Sequence, residues 1–439
     1  MMLKVTEYPT FKETVISKKL ASGLNVVILP KSGFVRKSAT LVVPFGSLSH
    51  KVKLSETEVA TFPPGTAHFL EHMLFETTHE NNSRKFALLG ASVNAYTTYN
   101  RTAVYFSTTN GFVETLTVMF DMIMSASFTE EGIAKERAII EKEILLYRDE
   151  PEQQLYYDLI KLMYPNHPIH YDIAGSEETI KEIDKELLKK AYAAFYHPQA
   201  MLLVLSGDFA IDETLLAIEN HPLNQKERVF ANPQSLFEID EEMENREISR
   251  YYDSLTDLVL VGVKLKPLIG AQEEDIALQE LKLSLLIDNL FGKSTPIFKK
   301  LQASRIVNNA YDINVACDKE FAYLTFFTET KKCEKTIVAF KSMIEAIRNT
   351  AIDGEEFAIQ KKKLLGGFVQ VFDSVSRANA MLSEYYLRNI DVFRLIEAID
   401  KLDKQDLESL KDEIAFGAVA CVCYKRKQKR KVKRLEEKR

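Results

Sequence analysis

The segment His68-Phe69-Leu70-Glu71-His72 puts two imidazoles and a carboxylate within five residues, in the inverted order of a zinc-protease signature. On a helix the histidines stand at i and i+4, so both rings leave one face within reach of a single ion, with Glu71 one position before the second. This spacing suits hydrolysis, in which a metal activates water and a neighbouring carboxylate moves protons. With eight histidines in 439 residues the pentapeptide is suggestive on its own, and its surroundings must support it. Pro63-Pro64-Gly65-Thr66 supplies a chain break and then an N-cap candidate in Thr66, and Phe69, Leu70, Met73, Leu74 and Phe75 fill the faces around the rings. The motif is therefore expected to open a largely buried helix. His79 follows Thr77-Thr78, where the helical pattern fades, and reads as a surface histidine rather than a ligand.

A hydrolytic zinc that keeps a position open for water needs one more protein ligand, normally a carboxylate when two histidines are already used. Between Thr129 and Arg148, Ile133, Ile139, Ile140, Ile144 and Leu145 recur at helical spacing, while Glu136 and Glu143 sit seven residues apart on one stripe. One of the two can reach the metal while the other backs it up, although glutamates on a charged helix usually belong to a solvated face. Downstream of the motif, Ala91 to Thr97 and Thr102 to Ser107 read as two strands separated by a short turn, an ordinary hairpin by pattern alone.

H-x-x-E-H, then Asn94-Ala95-Tyr96-Thr97, then the E-x(6)-E run from Glu136 to Glu143 occur in that order. With Gly23 to Pro30, Gly46-Ser47 and the stretch from Tyr164 through Gly175-Ser176 to Ser206-Gly207-Asp208, they make the first 225 residues resemble the insulinase and pitrilysin family of zinc peptidases, the inverzincins, which includes the mitochondrial processing peptidase. The resemblance implies that His68, His72 and Glu143 are the zinc ligands, one Zn2+ per chain, with Glu71 the general base acting on a zinc-bound water and Glu136 a support behind the ligands. It also implies that the first hairpin strand is a sheet edge onto which an extended peptide adds, with Asn94 and Ala95 binding substrate. The activity expected is that of a zinc metalloendopeptidase acting on unstructured peptides. The alternative is a weakly active or non-catalytic scaffold that retains zinc, against which an intact Glu71 argues.

The elements that must carry these residues point to an α+β protein of two similar, duplicated domains. Ile183 to Leu188 reappears as Leu402 to Leu407, and at the same offset the apolar run Met201 to Leu205 meets Ala420 to Tyr424. Each domain is expected to be a twisted, mixed, mostly antiparallel sheet with helices mainly on one face, the metallohydrolase fold of the processing peptidases. The expected division is 1–228 as the zinc-bearing domain, 229–424 as a degenerate copy, and 425–439 as a basic, disordered tail, with the polar stretch His221 to Glu244 as the join. Matching Leu74-Phe75 to Leu290-Phe291 sets Ser284, Ile287 and Asp288 against His68, Glu71 and His72, and matching Ile133-Ala134 to Phe357-Ala358 sets Gly367 against Glu143. The copy should hold no metal.

Second domains of the family often carry an arginine and, seven residues later, a tyrosine that polarise the substrate carbonyl. Here Tyr311 is present, Ser304 stands seven residues before it, and Arg305 is the nearest arginine. The chain resembles most the zinc-bearing subunits of bacterial paired insulinase-like proteins, which implies a heterodimer with a homologous subunit lacking the motif, over a homodimer. Composition fits a soluble enzyme: 46% hydrophobic, 27% charged and no apolar run approaching a membrane span. Cys317, Cys333, Cys421 and Cys423 show no disulfide framework, and the start of the chain shows no signal core, so the cytoplasm is the expected location. Ten basic residues and two glutamates in 425–439 give +8, and the chain's −6 then leaves −14 on residues 1–424. An acidic body would favour basic peptides if the acid lines the chamber. No stacking-aromatic motif or nucleic-acid fold accompanies the tail, so no nucleic-acid partner is expected.

Overall fold

A computed structural model describes residues 3–76, 82–225, 230, 232–237, 244, 246–252 and 255–427; His79 lies outside them. The first half is built on β1 (Lys4–Tyr8), β2 (Glu13–Lys19), β3 (Asn25–Pro30), β4 (Lys37–Val43), β7 (Ser92–Thr97), β8 (Thr102–Thr108) and β9 (Leu202–Gly207). They form a sheet in the order β1-β2-β3-β9-β4-β8-β7, antiparallel except for the parallel pair β3/β9. The second half uses β11 (Arg246–Tyr252), β12 (Asp257–Leu265), β13 (Asp312–Cys317), β14 (Ala322–Thr330) and β15 (Phe416–Arg426) in the order β11-β15-β12-β14-β13, again with one parallel pair, β11/β15. The five-strand pattern β3-β9-β4-β8-β7 is thus repeated position for position, as a duplication requires. The repeat reaches the caps: Asp184 accepts from Leu187 N–H at the start of the Lys185–Phe195 helix, and Asp403 does the same for Gln405 and Asp406 at the start of Lys404–Glu413.

Alternation along each strand sends successive side chains to opposite faces, and here both faces are buried. Val26, Ile28, Leu41, Val104, Leu203 and Leu205 pack against helices of their own half, including Phe69, Leu70, Met73, Ile133 and Ile140. The other face, Val27, Leu29, Val42, Leu202 and Val204, is covered by Ala378, Leu382, Phe393 and Ile396 from the second half. The exchange is reciprocal. Leu155, Leu159, Ile160 and Met163 of the first half's Pro151–Met163 helix lie on Leu258, Leu260, Ala420 and Val422 of the second sheet. Each half's own helices therefore keep to one face, as expected, and the opposite face is closed by its sibling. Asn379 fastens one of these crossings, its Nδ2 donating to the carbonyls of Ser38 (3.1 Å) and Val204 (2.9 Å).

Four expectations are corrected. The division at 228/229 comes too early, because β10 (Gln234–Ser235) pairs with β5 (Lys51–Lys53) and, with β6 (Val59–Thr61), completes a small sheet of the first half. The tail begins later than 425, because Lys425 and Arg426 pair with Tyr251 and Tyr252 inside the second sheet; residues 428–439 lie outside those described. Cys333 and Cys423 are placed as a pair, with Cα atoms 6.7 Å apart, where the sequence showed no disulfide framework, and Cys317 and Cys421 remain as buried thiols. Finally, of the apolar residues on the Glu130–Arg148 helix, Ile133 and Ile140 are buried, whereas Ile139 and Leu145 are exposed. Among the described residues no helix is long and apolar enough to cross a membrane.

Candidate metal centre

The H-x-x-E-H segment lies in the helix Thr66–Phe75, whose N-cap is Gly65, one residue earlier than expected. Gly65 has φ +95°, and a Cβ there would meet the Ala174 carbonyl oxygen at 2.6 Å, so only glycine lets the helix start against the Ala174-Gly175 loop. Thr66 instead gives its hydroxyl proton to Pro63 O at 2.6 Å. Phe69, Leu70, Met73 and Leu74 are fully buried, which rotates the helix so that His68 and His72 look toward the Glu130–Arg148 helix. That second helix is capped by Thr129, whose hydroxyl accepts from Gly132 N–H.

Between the two helices, His68, His72 and Glu143 present one donor atom each, all within 4.8 Å of one another, the only such group among the described residues. Glu143 Oε2 stands 3.5 Å from His72 Nε2 and 3.8 Å from His68 Nε2. Corners of a tetrahedron with ligand bonds of about 2.1 Å are separated by about 3.4 Å, so this donor set fits a divalent metal with little adjustment. His72 Nδ1 donates to Glu136 Oε2 at 3.1 Å, which turns Nε2 toward the site. Tyr147 Oη donates to Glu143 Oε1 at 2.7 Å, leaving Oε2 for the metal side. The residues singled out in the sequence are thus brought together: three convergent donor atoms, with Glu136 behind one of them. Tyr147, four residues after Glu143, was not singled out in the sequence, and its helical i+4 spacing is the only signal for it.

Electrostatics follow the same arrangement. Burial, and then His72, pull the His68 imidazole down to about 4, which keeps it neutral and able to ligate. Burial also opposes charge on His72, but its bonds to Glu136 and Glu143 outweigh this and push it up to about 9. Glu143 is drawn down to about 2, chiefly by the His72 bond, against burial and with help from Tyr147. Glu71, 9% exposed, is shifted upward by burial, with the bond from Thr97 opposing. Its Oε2 accepts from Thr97 Oγ1 at 2.6 Å, and it is not one of the three convergent donors.

The hairpin forms as expected, β7 pairing with β8, and β7 is the edge of its sheet. Asn94 is exposed, and its Oδ1 accepts from the N–H of Ala95 at 2.9 Å, so the side chain caps an amide of the edge strand. In the second half, Ser284, Asp288 and Gly367 line one cavity of about 370 Å3 together with Gln360, Lys363 and Phe368. The three residues set by the sequence register against His68, His72 and Glu143 thus share one cavity, and they are a serine, an aspartate and a glycine. Ile287, opposite Glu71, is buried in the core. Tyr311 is 1% exposed between Phe298 and Phe340, and its hydroxyl donates to Phe291 O at 3.1 Å. Tyr311 also borders a cavity with Asp288, Asp312 and Lys363, and Arg305 borders a different one with Asn308, Lys331 and Lys332.

The chain is similar to known proteins over most of its length. The family model described as insulinase (peptidase family M16) matches residues 31–177, and that of the peptidase M16 inactive domain matches 182–364. A Bacillus subtilis (strain 168) protein named as an uncharacterized zinc protease, YmfH, is 30% identical over 421 residues, 94% of this chain and 97% of that protein. The crystal structure of an M16-like protein from Alicyclobacillus acidocaldarius superposes with a TM-score of 0.89 at 26% identity, covering 96% of this chain and all of that one. A protease from Helicobacter pylori shares the fold, with a TM-score of 0.80 at 18% identity over 94% of this chain and 99% of its own.

Proposed function

The chain belongs to the insulinase family, peptidase family M16, and from that membership we propose that it is a zinc-dependent endopeptidase of unstructured peptides, the active subunit of a two-subunit chamber. The observation that carries this reading is a carboxylate, Glu71, placed beside a His-His-Glu donor set without belonging to it. A purely structural zinc needs no such base.

His68, His72 and Glu143 would hold the metal. Zinc in this set supplies a Lewis acid that brings the pKa of water toward ~7 and polarises the scissile carbonyl. Glu71 takes the proton from the attacking water and returns it to the leaving amine; its burial favours the protonated form it must pass through. Glu136 and Tyr147 hold His72 and Glu143 in their ligand orientations. The edge β7 aligns the substrate main chain to main chain, and Asn94 must release the Ala95 N–H as the peptide arrives. That mode selects extended, unfolded segments.

With Tyr311 committed to Phe291 O, this chain's second half has no free tyrosine at that place to polarise the carbonyl. Loss of one such donor typically costs ~2.7–4 kcal/mol of transition-state stabilisation. The missing group comes from a homologous partner that lacks the zinc motif, so activity depends on a heterodimer. The decisive assay is cleavage of a mixed peptide library by the purified chain, alone and with its copurifying partner, beside Glu71→Gln checked for bound zinc. Cleavage lost in the variant with zinc retained supports the reading; zinc bound with no cleavage in any form would favour a scaffold.

A further inference from the structure

Thr97 closes β7, and its cross-strand partner Thr102 opens β8. The two hydroxyl oxygens face each other at 3.2 Å, 1% exposed on the Thr102 side. Thr102 has one proton, and it goes to the carbonyl of Phe45 at 2.8 Å. Thr97 also has one proton and two oxygens within reach, and the Glu71 carboxylate at 2.6 Å is nearer and more basic than the hydroxyl of Thr102. The β-branched Thr97 is stiff at χ1, and the strand that carries it is anchored in the sheet, so the hydroxyl has little freedom to look elsewhere. Glu71, by contrast, sits on a helix with three side-chain dihedrals of its own.

Resting on the peptidase reading above, we propose that Thr97 is a positioning residue for the general base: its hydroxyl grips Glu71 Oε2, so that Oε1 is the oxygen that takes and returns the proton. The grip is compatible with both forms of the carboxyl in the cycle, since Oε2 remains an acceptor whether or not Oε1 carries a proton. It also ties the base to the substrate strand. β7 is the edge on which a peptide would lie, and Thr97 is two residues beyond Ala95 on the same face, so the base is registered against the strand that aligns the scissile bond.

The test compares wild type, Thr97→Val, Thr97→Ser and Glu71→Gln as full chains with the partner present, each assayed for zinc content, kcat and KM. Crystal structures of the zinc-loaded wild type and Thr97→Val report the Glu71 conformation independently of turnover. The expected result is a kcat lower by about 10- to 100-fold in Thr97→Val at unchanged zinc and KM, recovery of most activity in Thr97→Ser, and a Glu71 carboxylate turned away from its wild-type position. Should the valine variant fold poorly, Thr97→Ala deletes the same hydroxyl. A hydroxyl-free variant with wild-type kcat overturns the proposal, as does one in which Glu71 has not moved. If the zinc-loaded wild type cuts no peptide, the peptidase reading has failed, and the two Glu71 conformations alone decide the positioning.

Discussion

Glu71 and Glu143 are both carboxylates within reach of one site, yet burial and partners give them opposite tasks: Glu143 is held charged by His72 and Tyr147, whereas Glu71 is shifted toward its neutral form. Their substitutions should therefore separate. Glu71→Gln keeps zinc and loses about 10²–10⁴-fold in kcat, whereas Glu143→Gln and His68→Ala lose both, as measured by metal analysis beside a peptide assay. Tyr147→Phe frees Glu143 Oε1 and should weaken zinc binding by about 10-fold or more in competition with a chelator. In the other half, Glu280 is pushed up to about 7 by burial, against the pull of Arg388. A carboxyl with a raised folded pKa prefers its neutral form, so its contribution is full below the ordinary value near 4.5 and is lost as pH rises through about 7. Glu280→Gln should match wild type near pH 4.5 and melt higher at pH 8, by about 1 °C for each kcal/mol relieved when both halves melt as one unit; equal melting at both pH values would refute this. The ligands were legible because H-x-x-E-H and E-x(6)-E are local spacings on helices. Thr97 was less so, because its hydroxyl acquires its meaning from an oxygen that sequence distance hides, 26 residues away on Glu71, and Tyr147 was marked only by its i+4 spacing from Glu143.

The Thr66–Phe75 helix is placed by its first residue as much as by its apolar face. Gly65→Ala adds a methyl against Ala174 O in a backbone conformation that costs of order 1–3 kcal/mol for other residues. We expect a lower unfolding midpoint together with weaker zinc binding, because the helix start and the ligands shift together. A variant destabilised but with unchanged zinc affinity would show that the helix is positioned from its core face alone. The helices were legible through caps and 3.6-residue periodicity, although the Glu130–Arg148 stripe misled: Ile139 and Leu145 suit the pattern and yet face outward. The strands were harder. With both faces buried, Leu202 to Leu205 read as one continuous apolar run and give no alternation by which to assign the sides of the strand. The disulfide between Cys333 and Cys423 joins residues 90 positions apart, and no local spacing announces it.

At the scale of the molecule, the repeated strand order could be anticipated from the half-chain offset, but the crossing of helices between halves could not, because sequence repeats say nothing about whose sheet a helix covers. Asn379 tests that crossing. Asn379→Ala deprives the Ser38 and Val204 carbonyls of a donor in a buried interface and should cost ~1–3 kcal/mol, read from chemical denaturation as one cooperative transition of both halves. Two separate transitions would mean that the halves unfold independently. The reciprocal cover has a further consequence for how such a chain can be divided. Each sheet, cut from its sibling, would bare a complete apolar face, so neither half is a free-standing protein and each is the other's obligate folding template. Produced as two polypeptides split in the connection, the fragments should be insoluble apart and soluble together, reassembling into a nicked molecule in which covalent continuity is dispensable and mutual burial is not.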